Sequence, residues 1–196
     1  EKIAIGTNLP KNLIDLDNSV EKNISLLADA KNTTPEKLFA CVLDRPRHKN
    51  IIDSLKKMKV NINFISDGDV SGVISVIDEN SKNDIYIGIG GGPEGVLAGA
   101  ALSCLGGQMQ TRLVLDKEQS QRATKLGVKN LKKKYDLDEM IKGDVIFCAT
   151  AVTDGDLVKG IIDKGDSFEA STFALQKSTK IVKKVTNLHK KWTRPQ

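Results

Sequence analysis

The sequence predicts an α/β fold, with a largely parallel or mixed central sheet and helices on both of its faces. Three observations carry that prediction. A short apolar run, a polar turn and a helical pattern follow one another three times between Leu38 and Leu105. Each apolar run has strand length, whereas the patterns between them place apolar residues at helical spacing. A chain of 196 residues, 39% hydrophobic and 28% charged, is long and apolar enough for one sizeable core.

Taken in order, Lys2-Ile3-Ala4-Ile5-Gly6 opens the chain as a strand. The sequence starts at Glu1 without a methionine and runs at once into that strand, which reads as an entry into the middle of a larger protein. Ser19 to Lys31 is an amphipathic helix carrying Val20, Ile24, Leu27 and Ala28 on one face. Thr33-Thr34-Pro35-Glu36 is a cap or turn. The strand Leu38–Leu43 then leads into Asp44-Arg45-Pro46-Arg47-His48 and a helix with Ile51, Ile52, Leu55 and Met58. Val60–Ile65 leads into Ser66-Asp67-Gly68-Asp69 and a helix through Val73, Ile74 and Ile77. Asp84–Ile89 leads into Gly90-Gly91-Gly92-Pro93-Glu94-Gly95 and a small-residue helix from Val96 to Leu105.

Met109–Leu115 is a candidate strand, Lys117–Leu126 a surface helix, and the lysine-rich stretch from Lys129 to Tyr135 a solvated face or loop. Val145–Val152 reads as a buried strand, followed by a turn at Thr153-Asp154-Gly155-Asp156. The tail from Phe168 to Val185 alternates apolar and polar residues, as an antiparallel pair at a sheet edge does. No linker divides the chain, so one α/β domain over residues 1–196 is expected.

Composition narrows the function. The net charge of +5 favours anionic ligands, and phosphorylated metabolites meet that condition as well as nucleic acid does. Aromatic residues make up only 4%, a poor supply for stacking bases, so no nucleic-acid partner is expected. No apolar run reaches the ~20 residues of a membrane span. Cys41, Cys104 and Cys148 stand far apart in apolar stretches and read as buried thiols of a protein in a reducing cytoplasm.

In open parallel sheets ligands sit beyond the carboxyl ends of the strands, and all three unusual polar segments lie at such ends. Arg45 and Arg47 offer rigid forks of donors for phosphate oxygens. Pro46 between them suits a first helical turn, whose free N–H groups also attract anions. Asp44 can cap that helix, and His48 is a structural neighbour of the turn. Asp67 and Asp69 flank Gly68, an arrangement that accepts hydrogen bonds from sugar hydroxyls or holds a hard cation. It equally suits a helix N-cap. Gly90, Gly92 and Gly95 match the spacing of a dinucleotide-binding loop. Pro93, however, removes one donor and Glu94 sets a negative charge where pyrophosphate would lie. A cation held by Glu94, with Gly91 and Gly92 admitting substrate to the backbone, accounts better for the same residues.

Together the segments Asp44–His48, Ser66–Val70 and Gly88–Gly95 resemble the class II fructose-1,6-bisphosphatases, including the cyanobacterial enzymes that also take sedoheptulose 1,7-bisphosphate. The resemblance covers nearly the whole chain. It implies a sugar-phosphatase-like fold and a metal-dependent phosphatase that hydrolyses the 1-phosphate of a sugar bisphosphate. It implies substrate contacts at Arg45, Pro46, Arg47, Asp67, Gly68, Asp69 and Gly91, a metal ligand at Glu94, Mg²⁺ or Mn²⁺ as cofactor, and a homo-oligomer. Arg45 stands where many members have lysine, and Gly92 where alanine is common. The family's other metal-binding carboxylates belong to an N-terminal portion that this sequence does not contain, so the chain alone is expected to be catalytically incomplete.

Overall fold

The computed structural model describes residues 1–155 and 157–191. Asp156 of the expected turn and residues 192–196 lie outside the described residues.

Among the described residues, one sheet holds six strands: β1 (Lys2–Ile5), β2 (Phe39–Leu43), β3 (Asn61–Ile65), β4 (Ile85–Gly88), β5 (Gln108–Arg112) and, after the helices below, β6 (Lys134–Asp136). Their order is β3-β2-β4-β1-β5-β6. The α/β expectation holds, and the sheet is mixed. β2 runs parallel to β3 and β4, whereas β1 lies antiparallel to both β4 and β5. The three repeats of the sequence therefore build the parallel half. The inserted β1 reverses direction, so its first residues arrive at the edge where β4 ends: Lys2 pairs with Gly88.

Helices cover both faces. On one, α1 (Val20–Ala30) and α2 (Lys49–Lys57) bury Ile24, Leu27 and Leu55 against Ile3, Ile5, Val42 and Ile85. The Ser19 hydroxyl accepts from the Lys22 amide and caps the start of α1. On the other face, α3 (Asp69–Ile74), α4 (Gly92–Leu105) and the short α6 (Leu137–Met140) press Val73, Ala98, Leu102 and Leu137 onto Ala4, Cys41 and Tyr86. The helix α5 (Lys117–Lys125) buries none of its residues and starts on an Asp116–Gln119 capping box. The helix expected to reach Ile77 ends as α3 at Ile74.

A second, antiparallel sheet contains β7 (Ile146–Thr150), β8 (Ile162–Asp163), β9 (Ser167–Gln176) and β10 (Ile181–Lys190). Ile74 of α3 and Ala101 of α4 also pack on Phe147, Phe173 and Leu175 of this sheet, so these helices lie between two sheets. The expectation of a fully buried strand at Val145–Val152 is corrected. Only Phe147 of β7 is buried, and Ile146 is 68% exposed, because helices cover one face of this sheet and leave the alternate residues outside. The expectation of three buried thiols holds for Cys41 alone: Cys104 is half-buried and Cys148, on the uncovered side of β7, is exposed.

Candidate functional site

Three loops leave the ends of β2, β3 and β4, and hydrogen bonds bind them to one another. The Arg45 guanidinium donates to the Ser66 carbonyl at 2.6 Å, joining the first loop to the second. Arg47 Nε donates to the Ile89 carbonyl at 2.8 Å, joining the first to the third. His48 is buried beneath them. Its Nδ1 lies 2.7 Å from the Leu43 carbonyl and its Nε2 accepts from the Ile89 amide at 2.8 Å. That pattern assigns the ring proton to Nδ1 and makes His48 a strut between two strand ends.

Arg45-Pro46-Arg47 forms the start of a 3-10 turn over Pro46–His48, in which Arg45 is the N-cap. No side chain caps this turn, so the capping role expected of Asp44 is not taken up. Arg47 is exposed and commits only Nε among its nitrogens to the described residues, which leaves its terminal fork for an anion.

In the second loop Gly68 adopts φ 91°, a left-handed conformation that a side chain would strain, and it precedes α3 as N-cap. Asp67 is exposed, and its carboxylate accepts the Gly68 amide at 2.8 Å. Asp69 turns the other way. Its side chain is 9% exposed and takes Lys2 Nζ on Oδ2 at 2.5 Å, while the Tyr86 hydroxyl donates to Oδ1 at 3.1 Å. Burial, with the Asp69 carboxylate next in effect, pushes the Tyr86 phenol far above its ordinary range and keeps it a donor.

The third loop carries Gly90 and Gly91 into α4, which begins with Gly92, Pro93 and Glu94. Gly91 is the N-cap, at φ −65° and ψ 144°. Glu94 is exposed in the first turn, makes no hydrogen bond or ion pair with a described residue, and folds back so that its Oε2 lies 1.9 Å from where a Cβ on Gly91 would stand. An unpaired carboxylate there is a hard oxygen donor of the kind that Mg²⁺ and Mn²⁺ take. Glu94 thus fits as one ligand. Among the described residues no group of three or more His, Cys, Asp and Glu side chains assembles a metal site.

A cleft of about 710 Å³ opens beside this loop, lined by Lys2, Gly90–Gly92, Val96 and the Thr111–Leu115 segment. Arg45, Arg47 and Asp67 stand outside its lining. Two residues of the neighbourhood, Lys2 and Tyr86, escaped the sequence reading. A lysine heading a strand reads as a solvated end, and what buries it is supplied by α3, some 67 positions away.

With this geometry in view, the family model described as bacterial fructose-1,6-bisphosphatase, glpX-encoded, matches residues 1–189. The chain is similar to the fructose-1,6-bisphosphatase class 2 of Haemophilus influenzae, 33% identical over 96% of this chain and 61% of that protein. Two cyanobacterial relatives carry the name D-fructose 1,6-bisphosphatase class 2/sedoheptulose 1,7-bisphosphatase. The Synechocystis protein is 35% identical over 77% of this chain and 48% of its own length. The Synechococcus protein is 31% identical over 92% and 56%. The chain spans about half to three-fifths of the length of these relatives.

Proposed function

The chain belongs to the bacterial, glpX-encoded fructose-1,6-bisphosphatase family, and on that premise we propose that it supplies the sugar-phosphate-binding part of a metal-dependent phosphatase. The substrate is fructose 1,6-bisphosphate, with sedoheptulose 1,7-bisphosphate as the seven-carbon counterpart named in the cyanobacterial relatives. The observation that carries the reading is the convergence of Arg47 and Glu94 on one turn. Arg47 is bonded to the Ile89 carbonyl and Glu94 is folded over Gly91, so a guanidinium and an exposed carboxylate flank the same few backbone atoms.

Arg45 and Arg47 anchor the phosphate remote from the reaction and turn its binding energy into position for the rest of the sugar. Asp67 accepts from sugar hydroxyls. The backbone at Gly91 and Gly92 admits the ester end, and Glu94 holds Mg²⁺ or Mn²⁺. When bound, such ions neutralise the leaving phosphate and activate water. Among the described residues no cluster of three or more ligating side chains gathers to hold the several ions such hydrolysis uses, so this chain is expected to bind sugar bisphosphates and release phosphate poorly. Three cysteines that form no disulfide with one another suit a reducing cytoplasm.

Titration calorimetry with fructose 1,6-bisphosphate, with and without Mn²⁺, tests the proposal. Arg47→Ala is expected to weaken binding by roughly 1.5–3 kcal/mol, the range for hydrogen bonds to charged groups. Glu94→Ala is expected to abolish its Mn²⁺ dependence. Saturable AMP or NAD binding that survives Glu94→Ala would instead favour a nucleotide-binding module built on the glycine loop. Rapid phosphate release by the pure chain would overturn the incompleteness.

A further inference from the structure

We infer that Lys2 is a positioning residue for the Gly90–Glu94 loop, acting through the buried carboxylate of Asp69; the purpose of that role rests on the function proposed above, its geometry does not. β1 enters the sheet antiparallel, and alternation places Lys2 on the face of Ala4, which pairs with Tyr86. That face is roofed by α3 and α4, which bury the lysine at the margin of the cleft. Its side chain is 3% exposed. The ammonium lies 2.5 Å from Asp69 Oδ2 and 5.8 Å from the centre of the Tyr86 ring, and Tyr86 supplies the second donor to the carboxylate.

The loop backbone rests directly on this group. A Cβ placed on Gly90 would lie 1.9 Å from Asp69 Oδ2 and 3.2 Å from Lys2 Nζ. Buried ion pairs stabilise little compared with an apolar replacement of both partners, although removal of one partner is costly. What this pair supplies is a fixed support. It sets the height of Gly90 and, through the Gly95 amide bonded to the Gly91 carbonyl at the start of α4, the position of Gly91 and Glu94. Both oxygens of Asp69 are engaged, so its effect on a ligand passes through the loop, while Asp67 remains the aspartate open to solvent.

Hydrogen–deuterium exchange on the full chain, without ligand, decides the matter at two reporter amides, Ile89 on His48 Nε2 and Gly95 on the Gly91 carbonyl. Lys2→Met strands a buried carboxylate and risks unfolding, so the informative variant is Lys2→Met with Asp69→Asn, which removes both charges. A melting temperature near that of the parent, with exchange at both amides raised at least tenfold and no change in the β9–β10 hairpin, is the expected result. Tyr86→Phe, which deletes only the hydroxyl donor, is expected to raise it a few-fold at the same amides. Exchange at Ile89 and Gly95 equal to the parent, or raised uniformly along the chain, overturns the inference. A second titration, with fructose 1,6-bisphosphate, expects affinity at least tenfold weaker in the double variant. Should the parent itself fail to bind, the proposed function falls while the exchange result still decides the role of Lys2.

Discussion

Gly90, Gly91 and Gly92 are consecutive, yet each backbone meets something different. At Gly90 the space for a Cβ is filled by the Asp69 carboxylate, which is short, buried and tied to Lys2 and Tyr86. At Gly91 it is filled by the exposed Glu94 carboxylate, the free end of a flexible side chain. At Gly92 nothing lies within 4 Å. Gly90→Ala is therefore expected to destabilise the chain by about 1–3 kcal/mol, the cost of overpacking, in urea unfolding. Gly91→Ala, whose φ and ψ suit any residue, is expected to shift stability by less than ~0.5 kcal/mol while weakening Mn²⁺ binding, because Glu94 must swing away. The arginine, aspartate and glycine residues of the candidate site were legible because they break apolar patterns at strand ends. Lys2 and Tyr86 were not: each sits in an apolar strand, and their meeting with Asp69 depends on tertiary packing that no local spacing encodes.

The second sheet shows what an element owes to its neighbours. The alternation of the tail disclosed the β9–β10 pair, but the apolar run at Val145–Val152 gave no sign that only one face of its sheet is covered. Asp144 fastens the hairpin to the start of β7. It accepts from the Ser178 amide and hydroxyl at 2.9 and 2.7 Å and from the Val145 amide at 2.9 Å. The Ser178 hydroxyl, then its amide, hold the Asp144 carboxyl below the usual aspartate value. A depressed carboxylate contributes its stability above the unfolded value of ~3.9 and loses it as pH falls through the lower folded value. The difference in melting temperature between the parent and Asp144→Asn should accordingly be constant above about pH 5 and shrink below about pH 4; a difference that persists into strong acid contradicts this. β10 is an edge strand with every residue exposed, and Ile181, Val182, Val185 and Leu188 give it aggregation potential that Lys183 and Lys184 oppose. Replacing both lysines with threonine is expected to produce larger species in sedimentation at micromolar concentrations, with unchanged circular dichroism.

At the scale of the molecule, parallel connections bring the ends of β2, β3 and β4 to one rim, and this much follows from the order of strands, turns and helices in the sequence. The antiparallel entry of β1 does not. It delivers Lys2 to the same rim from the opposite chain direction and converts a set of surface loops into one supported on a buried charge pair. Guanidinium groups, the Asp67 carboxylate and the Glu94 carboxylate then share an edge held by bonds from Arg45 to Ser66 and from Arg47 to Ile89. The most direct measurement is a titration of ¹⁵N-labelled chain with fructose 1,6-bisphosphate and Mg²⁺, following backbone amide shifts. This shared edge predicts concerted, saturable shifts at residues 44–48, 66–69 and 89–95, with β9 and β10 unmoved. Shifts confined to the glycine loop, or centred on another part of the molecule, would contradict it.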